Sequence, residues 1–206
     1  FLSELVKVLT TIDVKVVLVS FPHNPTTITV TQDFYEELVF LARKHNFLIV
    51  NDFAYSDVYF DGPRPPSLLQ SDKDLTNSVE LYSLTKGYSM AGWRVGFAIG
   101  NKEAIQALTK LKSYIDYGTF QPIQIASTVA INDLDEYPLE VSDIYRERRI
   151  LVTESLESLG FDVYQSNATM FVWAKIPIAS KKTSMDFSLA VLEKSNVAIS
   201  PGIGFG

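Results

Sequence analysis

Lys86 lies in the run Ser83-Leu84-Thr85-Lys86-Gly87-Tyr88-Ser89-Met90-Ala91-Gly92-Trp93-Arg94-Val95-Gly96. Hydroxyls stand before it, glycines after it, and an arginine eight positions on. An amine, two hydroxyls and a guanidinium in so short a stretch are the parts needed to hold a phosphorylated aldehyde. The amine condenses with the carbonyl. Arg94, Ser83 and Thr85 offer a bidentate fork and two hydroxyls to the phosphate, and Gly87, Gly92 and Gly96 let backbone approach a ligand or turn tightly.

Two earlier segments supply what a pyridine ring would require. Such a ring withdraws electrons only while its nitrogen stays protonated, and a carboxylate in contact raises that nitrogen's pKa. Asp52, after the apolar run Phe47 to Val50, is the candidate. Tyr55 and Asn24 can donate to a phenolic ring oxygen. The set points to pyridoxal phosphate. Each residue alone has a plainer reading: a lysine after a strand as a solvated residue, Asp52 as a turn or N-cap aspartate, Asn24 before Pro25 as a turn asparagine, Arg94 as half of an ion pair. His23 reads as a turn residue, and Gly202-Ile203-Gly204-Phe205-Gly206 as a loop without the spacing of a dinucleotide fingerprint.

The elements that must position these residues follow from the apolar patterning. Val14 to Ser20 is short and β-branched, as a buried parallel strand is, and the turn Pro22-His23-Asn24-Pro25-Thr26-Thr27 follows it. Thr31 reads as an N-cap, with Asp33 in the first turn, Phe34, Leu38 and Leu41 on one face, and Arg43, Lys44 and His45 at the negative end of the dipole. Asn51 to Tyr55 reads as the turn after the second strand, and Asp61 to Asp74, with Pro63, Pro65 and Pro66, as loop. Val79 to Leu84 and Val95 to Ile99 are further strands, and Ala104 to Ile115 a helix. A long charged helix is expected from Pro138 to Leu159, then short strands around Phe161 to Tyr164 and Met170 to Ala174, and a helix near Met185 to Lys194.

This alternation predicts an α/β fold with a mostly parallel sheet, in which ligands bind beyond the carboxyl ends of the strands. Asn24, Asp52, Tyr55 and Lys86 follow three such ends and are expected to converge on one edge. Residues 1–137 are read as part of a large α/β domain, and 138–206 as a connecting helix with the start of a smaller α+β domain.

Composition removes other classes. The net charge of −6 has no basic block in it, so the electrostatic term of nucleic-acid binding is missing. There is no cysteine and only two histidines, which argues against disulfides, thiolate chemistry and a metal site. No apolar run reaches the roughly 18 residues that span a bilayer, and the start lacks the basic flank of a signal peptide. A cytoplasmic location is expected. The start without methionine and the stop inside a glycine-rich stretch suggest a fragment.

With Asn24-Pro25-Thr26, Asp52-x-x-Tyr55, Ser83-x-Thr85-Lys86 and Gly92-Trp93-Arg94-x-Gly96 in this order, the sequence resembles the class I and II aminotransferases of the PLP-dependent transferase type (fold type I). The resemblance runs through essentially the whole chain. It implies Lys86 as the lysine that bonds the cofactor and moves the proton, Asp52 on the ring nitrogen, Asn24 and Tyr55 on the ring oxygen, and Ser83 and Arg94 on the phosphate. It implies pyridoxal 5′-phosphate as cofactor, amino-acid and 2-oxo-acid substrates, and a homodimer. The segments Ser113 to Pro122 and Val172 to Pro177 look most like the bacterial alanine (glutamate–pyruvate) branch, with aspartate and LL-diaminopimelate aminotransferases near it. A PLP-dependent lyase and a non-catalytic PLP-binding regulatory module are the other readings of the same fold. The family's amino-terminal part and its carboxylate-binding arginine have no counterpart within these residues.

Overall fold

A computed structural model describes residues 1–206. Its main sheet has four strands, β1 (Val16–Ser20), β2 (Leu48–Asp52), β3 (Ser78–Ser83) and β4 (Gly96–Gly100), in that spatial order. The first three run parallel, and β4 is antiparallel to β3. Helix α1 (Leu2–Leu9) precedes the sheet, and α2 (Gln32–His45) crosses over from β1 to β2.

Why α2 forms there is legible residue by residue. Thr31 caps it, its Oγ1 accepting from the Phe34 N–H at 3.4 Å, Asp33 sits in the first turn, and Arg43, Lys44 and His45 fill the last. Asn46 ends the helix in a left-handed conformation, φ 55°, which asparagine tolerates better than most residues. Tyr35, Leu38, Val39, Leu41 and Ala42 form its buried stripe. They pack with Val17, Val19, Ile49, Phe47 and Leu68 into the main core, on one face of the sheet. The opposite face carries Val16 and Leu18, both exposed.

Two buried carboxylates organise the loops around this core. Glu80 accepts from the Asn51 amide at 3.1 Å, the Ser67 hydroxyl at 2.7 Å and the Leu68 N–H at 2.9 Å. Asn51 Oδ1 in turn accepts from the Phe21 N–H at 3.3 Å, which ties the loop after β1 to the sheet. Asp72, with no exposure, accepts from Arg43, the Asn77 N–H and the Ser78 hydroxyl at 2.7 to 2.8 Å. Burial pushes its pKa up, but these hydrogen bonds outweigh it and hold the carboxyl below its ordinary value.

After β3 the chain makes one helical turn, α3 (Leu84–Gly87), before β4; then come α4 (Lys102–Ile115), α5 (Gln121–Asp133) and the long α6 (Tyr137–Ser158). Ser142 and Arg146 of α6 donate to the carbonyls of Asp57 and Phe60, both at 2.8 Å, and Arg149 pairs with Asp61 at 2.9 Å. A two-stranded antiparallel ribbon, β5 (Asp162–Val163) and β6 (Ala174–Lys175), and α7 (Ser184–Ser195) complete the chain. Backbone hydrogen bonds join residues 58–60 to 167–169.

Several elements depart from the sequence reading. Asn51 and Asp52 belong to β2 rather than to a turn beyond it, because both lie in register with β3. The proline-rich loop contains a 3₁₀ turn at Leu68–Gln70, closed by a Ser67 and Gln70 capping box. Gly202–Phe205 is also a 3₁₀ turn. Helices α1 and α5 have no counterpart in the sequence pattern, and both small strands are shorter than expected, β5 lying within Phe161 to Tyr164 and β6 falling at the end of Met170 to Ala174 and one residue beyond it.

Candidate functional site

The register fixes which residues share an edge. Ser20 at the end of β1 pairs with Asp52 at the end of β2, and Asp52 pairs with Leu81, two residues before the end of β3. The chain then leaves each carboxyl end toward a residue of interest: Asn24 after β1, Tyr55 after β2, Lys86 in α3 after β3. Adjacent strands are about 4.8 Å apart, so the Asp52 and Lys86 segments are neighbours.

Arg94 reaches the same edge for a reason that sequence patterning does not reveal. A strand parallel to β3 would start at the opposite edge of the sheet, carrying Arg94 there with it. Because β4 is antiparallel, its first residue, Gly96, pairs with Ser83. Arg94, two residues earlier, therefore emerges beside the Ser83 to Lys86 turn. It stands in a left-handed conformation, φ 54°, and is exposed rather than buried as an apolar strand start would suggest. Its guanidinium donates to the Ala91 carbonyl at 3.2 Å and has no carboxylate partner.

Within the edge, the Lys86 ammonium lies 5.4 Å from the centroid of the Tyr55 ring, inside the range of cation–π attraction. Tyr55 is buried, and its ring meets Phe171 edge-on at 5.4 Å. Burial first, then the negative charge of Asp52 and the neighbouring Tyr145, push the Tyr55 phenol up to about 12. A phenol is a neutral hydrogen-bond donor at physiological pH in any case, and the shift extends that state further into the alkaline range. Asp52 is exposed and accepts one bond, from the Ala54 N–H at 3.2 Å. That is the geometry of a turn aspartate, and it leaves the second carboxylate oxygen free to accept. Ser83 caps α3, its Oγ accepting from the Thr85 N–H at 3.2 Å, with its own hydrogen left to donate. Asn24 and Lys86 make no side-chain hydrogen bond. His23 hydrogen-bonds Thr26 at 2.6 Å, as a turn residue does.

An amine, a carboxylate, a phenol, a hydroxyl and a guanidinium thus stand along one sheet edge, each with bonding capacity left over within the chain. This donor set suits pyridoxal phosphate group by group. A cavity of about 1020 Å³ opens next to it, lined by apolar residues that include Phe171, Trp173, Pro201 and Phe205. It touches the edge at Asn24 and Pro25, and Lys86, Asp52, Ser83 and Arg94 do not line it. The charged edge, where the reactive groups are, is the candidate site.

The sequence reading passes over Asp57. This carboxylate is almost fully buried and accepts from Tyr82 and Arg64. Its partners are 25 and 7 residues away, so no local pattern signals it. Burial first, then the Asp57 charge and hydrogen bond, push the Tyr82 phenol well above its usual range.

Against known proteins, residues 2–206 match the family "Aminotransferase class I and II". The LL-diaminopimelate aminotransferase of Natranaerobius thermophilus is 43% identical over 93% of this chain and 49% of its own length. The glutamate-pyruvate aminotransferase AlaC of Escherichia coli is 40% identical over 93% of this chain and 47% of its own. Among solved structures, apo-BacF of Bacillus subtilis superimposes with a TM-score of 0.88 at 35% identity, over 94% of this chain and 51% of that one. The chain spans about half the length of the curated relatives it matches.

Proposed function

The chain belongs to the class I and II aminotransferases, and on that footing we propose that the protein moves an amino group between an amino acid and a 2-oxo acid with pyridoxal 5′-phosphate as cofactor. When bound, the cofactor supplies an electron-withdrawing ring that makes the amino acid's α-proton removable. Lys86 would hold the cofactor's aldehyde carbon through Nζ until the substrate's amino group takes its place, and its freed amine would then be the group that moves the substrate's α-proton. Asp52 holds the ring nitrogen protonated through charge. Tyr55 and Asn24 donate to the ring oxygen, Tyr55 as a neutral phenol. Ser83 and Arg94 grip the phosphate, the anchor about which the ring is oriented.

The observation that carries this reading is the antiparallel return of β4. It brings a guanidinium to the same edge as an amine and a carboxylate delivered by parallel strands.

Within the class, we assign the donor to the alanine and glutamate type, with the homodimeric, cytoplasmic enzymes of the family as the pattern for the whole protein. No helix is long and apolar enough to cross a membrane. The relatives named for glutamate-pyruvate and for LL-diaminopimelate resemble the chain about equally, at 40% and 43% identity, so LL-diaminopimelate is the competing donor. Incubating the full-length protein with a panel of amino acids, with and without pyruvate or 2-oxoglutarate, tests both levels. Transfer that requires the oxo acid is expected, fastest with alanine or glutamate. Ammonia release without any acceptor would identify a lyase instead, and LL-diaminopimelate as best donor would move the protein to that branch.

A further inference from the structure

We infer that Asp57 is a positioning residue for Lys86, holding the helical turn that carries this lysine against the Asp52 and Tyr55 segment. The inference rests on the proposed role of Lys86 and adds a residue that touches neither cofactor nor substrate.

The geometry runs through three elements. Asp57 follows Asp52 and Tyr55 in the chain, in the turn beyond β2, and its side chain is 8% exposed. Its carboxylate accepts from the Tyr82 hydroxyl on β3 and from Arg64. Directly above it is Gly87, the residue after Lys86: a Cβ added there would stand 2.7 Å from the Asp57 Cβ and 2.9 Å from Oδ2. That separation is too small for any side chain, so α3 rests on Asp57 with backbone alone. From the other side, Ser142 of α6 donates to the Asp57 carbonyl at 2.8 Å and accepts from the Tyr59 N–H at 3.4 Å. The residue is thereby fixed from β3, α3 and α6 at once. A buried carboxylate is costly without partners. Here its partners reach the strand and turn that bear Ser83 and Lys86, whereas a purely structural carboxylate, such as Asp72, ties down elements remote from that edge.

A role in placing Lys86 predicts a selective defect. Pyridoxal 5′-phosphate uses both the ring and phosphate contacts and the bond to Lys86, whereas pyridoxine 5′-phosphate, an alcohol, uses the contacts alone. In the full-length protein, Asp57→Ala and Gly87→Ala are expected to lower affinity for the aldehyde at least tenfold and to leave affinity for the alcohol within about twofold. Asp57→Asn keeps the volume beneath Gly87 and, with its amide oxygen turned to Tyr82, an acceptor for that hydroxyl; its NH2 then faces Arg64 and cannot accept from it, but Arg64 is half-exposed and free to turn to water, so that lost pairing contributes little. It is expected to restore the aldehyde's affinity to within threefold of the unsubstituted protein. Tyr82→Phe, which leaves Asp57 itself intact, serves where the alanine variants do not fold, and is expected to show the same selectivity. Equal losses for both compounds, or no loss for either, would overturn the role of Asp57 while leaving Lys86 in place. Failure of the unsubstituted protein to hold the aldehyde more tightly than the alcohol would instead refute the role of Lys86, and this inference with it.

Discussion

Gly96→Ala separates the placement of Arg94 from its chemistry. An added Cβ would meet the Tyr82 carbonyl oxygen at 2.5 Å, where ordinary contact begins at 3.4 Å. The obstacle is backbone of the neighbouring strand, so β4 must withdraw from β3 by ~1 Å at the position where Gly96 pairs with Ser83, and insertions of this kind cost about 1–3 kcal/mol. Arg94 lies two residues away and moves with the strand. A charge-assisted hydrogen bond contributes about 1.5–3 kcal/mol, and 1.4 kcal/mol is about a factor of ten. Losing the guanidinium's grip on the phosphate should therefore weaken cofactor binding by roughly 10- to 150-fold. Absorbance titration of the full-length protein with pyridoxal phosphate and with unphosphorylated pyridoxal reads this out. Both Gly96→Ala and Arg94→Ala should fall in that window for the phosphorylated compound and change little for the other. The double variant should be little worse than either, because the two act on one interaction. Unchanged phosphate-dependent affinity in Gly96→Ala, alongside a lowered melting temperature, would refute the claim that β4 register delivers Arg94 to the phosphate.

Asp52→Ala should leave the cofactor bound through its phosphate while lowering turnover by at least about a hundredfold; near-normal turnover would mean that the ring nitrogen has another partner. Tyr55 should show no tyrosinate absorbance until pH approaches about 12. Its raised pKa stabilises the fold below the ordinary phenol value of 10.0, and that contribution declines as pH rises from there toward the folded value; a Tyr55→Phe variant with the same alkaline stability loss would contradict this. Asp72 has the opposite sign: its depressed pKa contributes stability above the ordinary value of 3.8, lost as pH falls toward the folded value. Asp72→Ala leaves the Ser78 hydroxyl and Asn77 N–H without an acceptor and should cost about 2–4 kcal/mol in denaturant unfolding at neutral pH, with less acid sensitivity than the unsubstituted protein.

How far the sequence discloses this site depends on what kind of information each residue requires. Asn24, Asp52, Tyr55 and Lys86 each follow an apolar run, and in a parallel α/β sheet that order alone sends them to one edge. Helix α2 is equally open to reading because Thr31, Asp33 and the basic triplet at its end are local signals. Strand direction is not local: Val95 to Ile99 has the same pattern whether it runs up or down, so the placement of Arg94 beside Lys86 depends on pairing between β3 and β4. Helix α5 starts without a side-chain cap, an acidic first turn or a basic last turn, and α1 also lacks a side-chain cap. The 3₁₀ turn at Leu68 did have a signal, the Ser67 and Gln70 capping box, but three nearby prolines masked it. Asp57 is the clearest case of distance: its partners come from β3 and from a loop, and only folding brings them together.

The central claim is that Lys86 bonds the cofactor. Borohydride reduction of the full-length protein loaded with pyridoxal phosphate, followed by digestion and peptide mass analysis, tests it most directly. One stably modified peptide is expected, containing Lys86, and in Lys86→Ala it should disappear together with the visible absorbance. Modification at another lysine, or an absorbance band that survives Lys86→Ala, would contradict it.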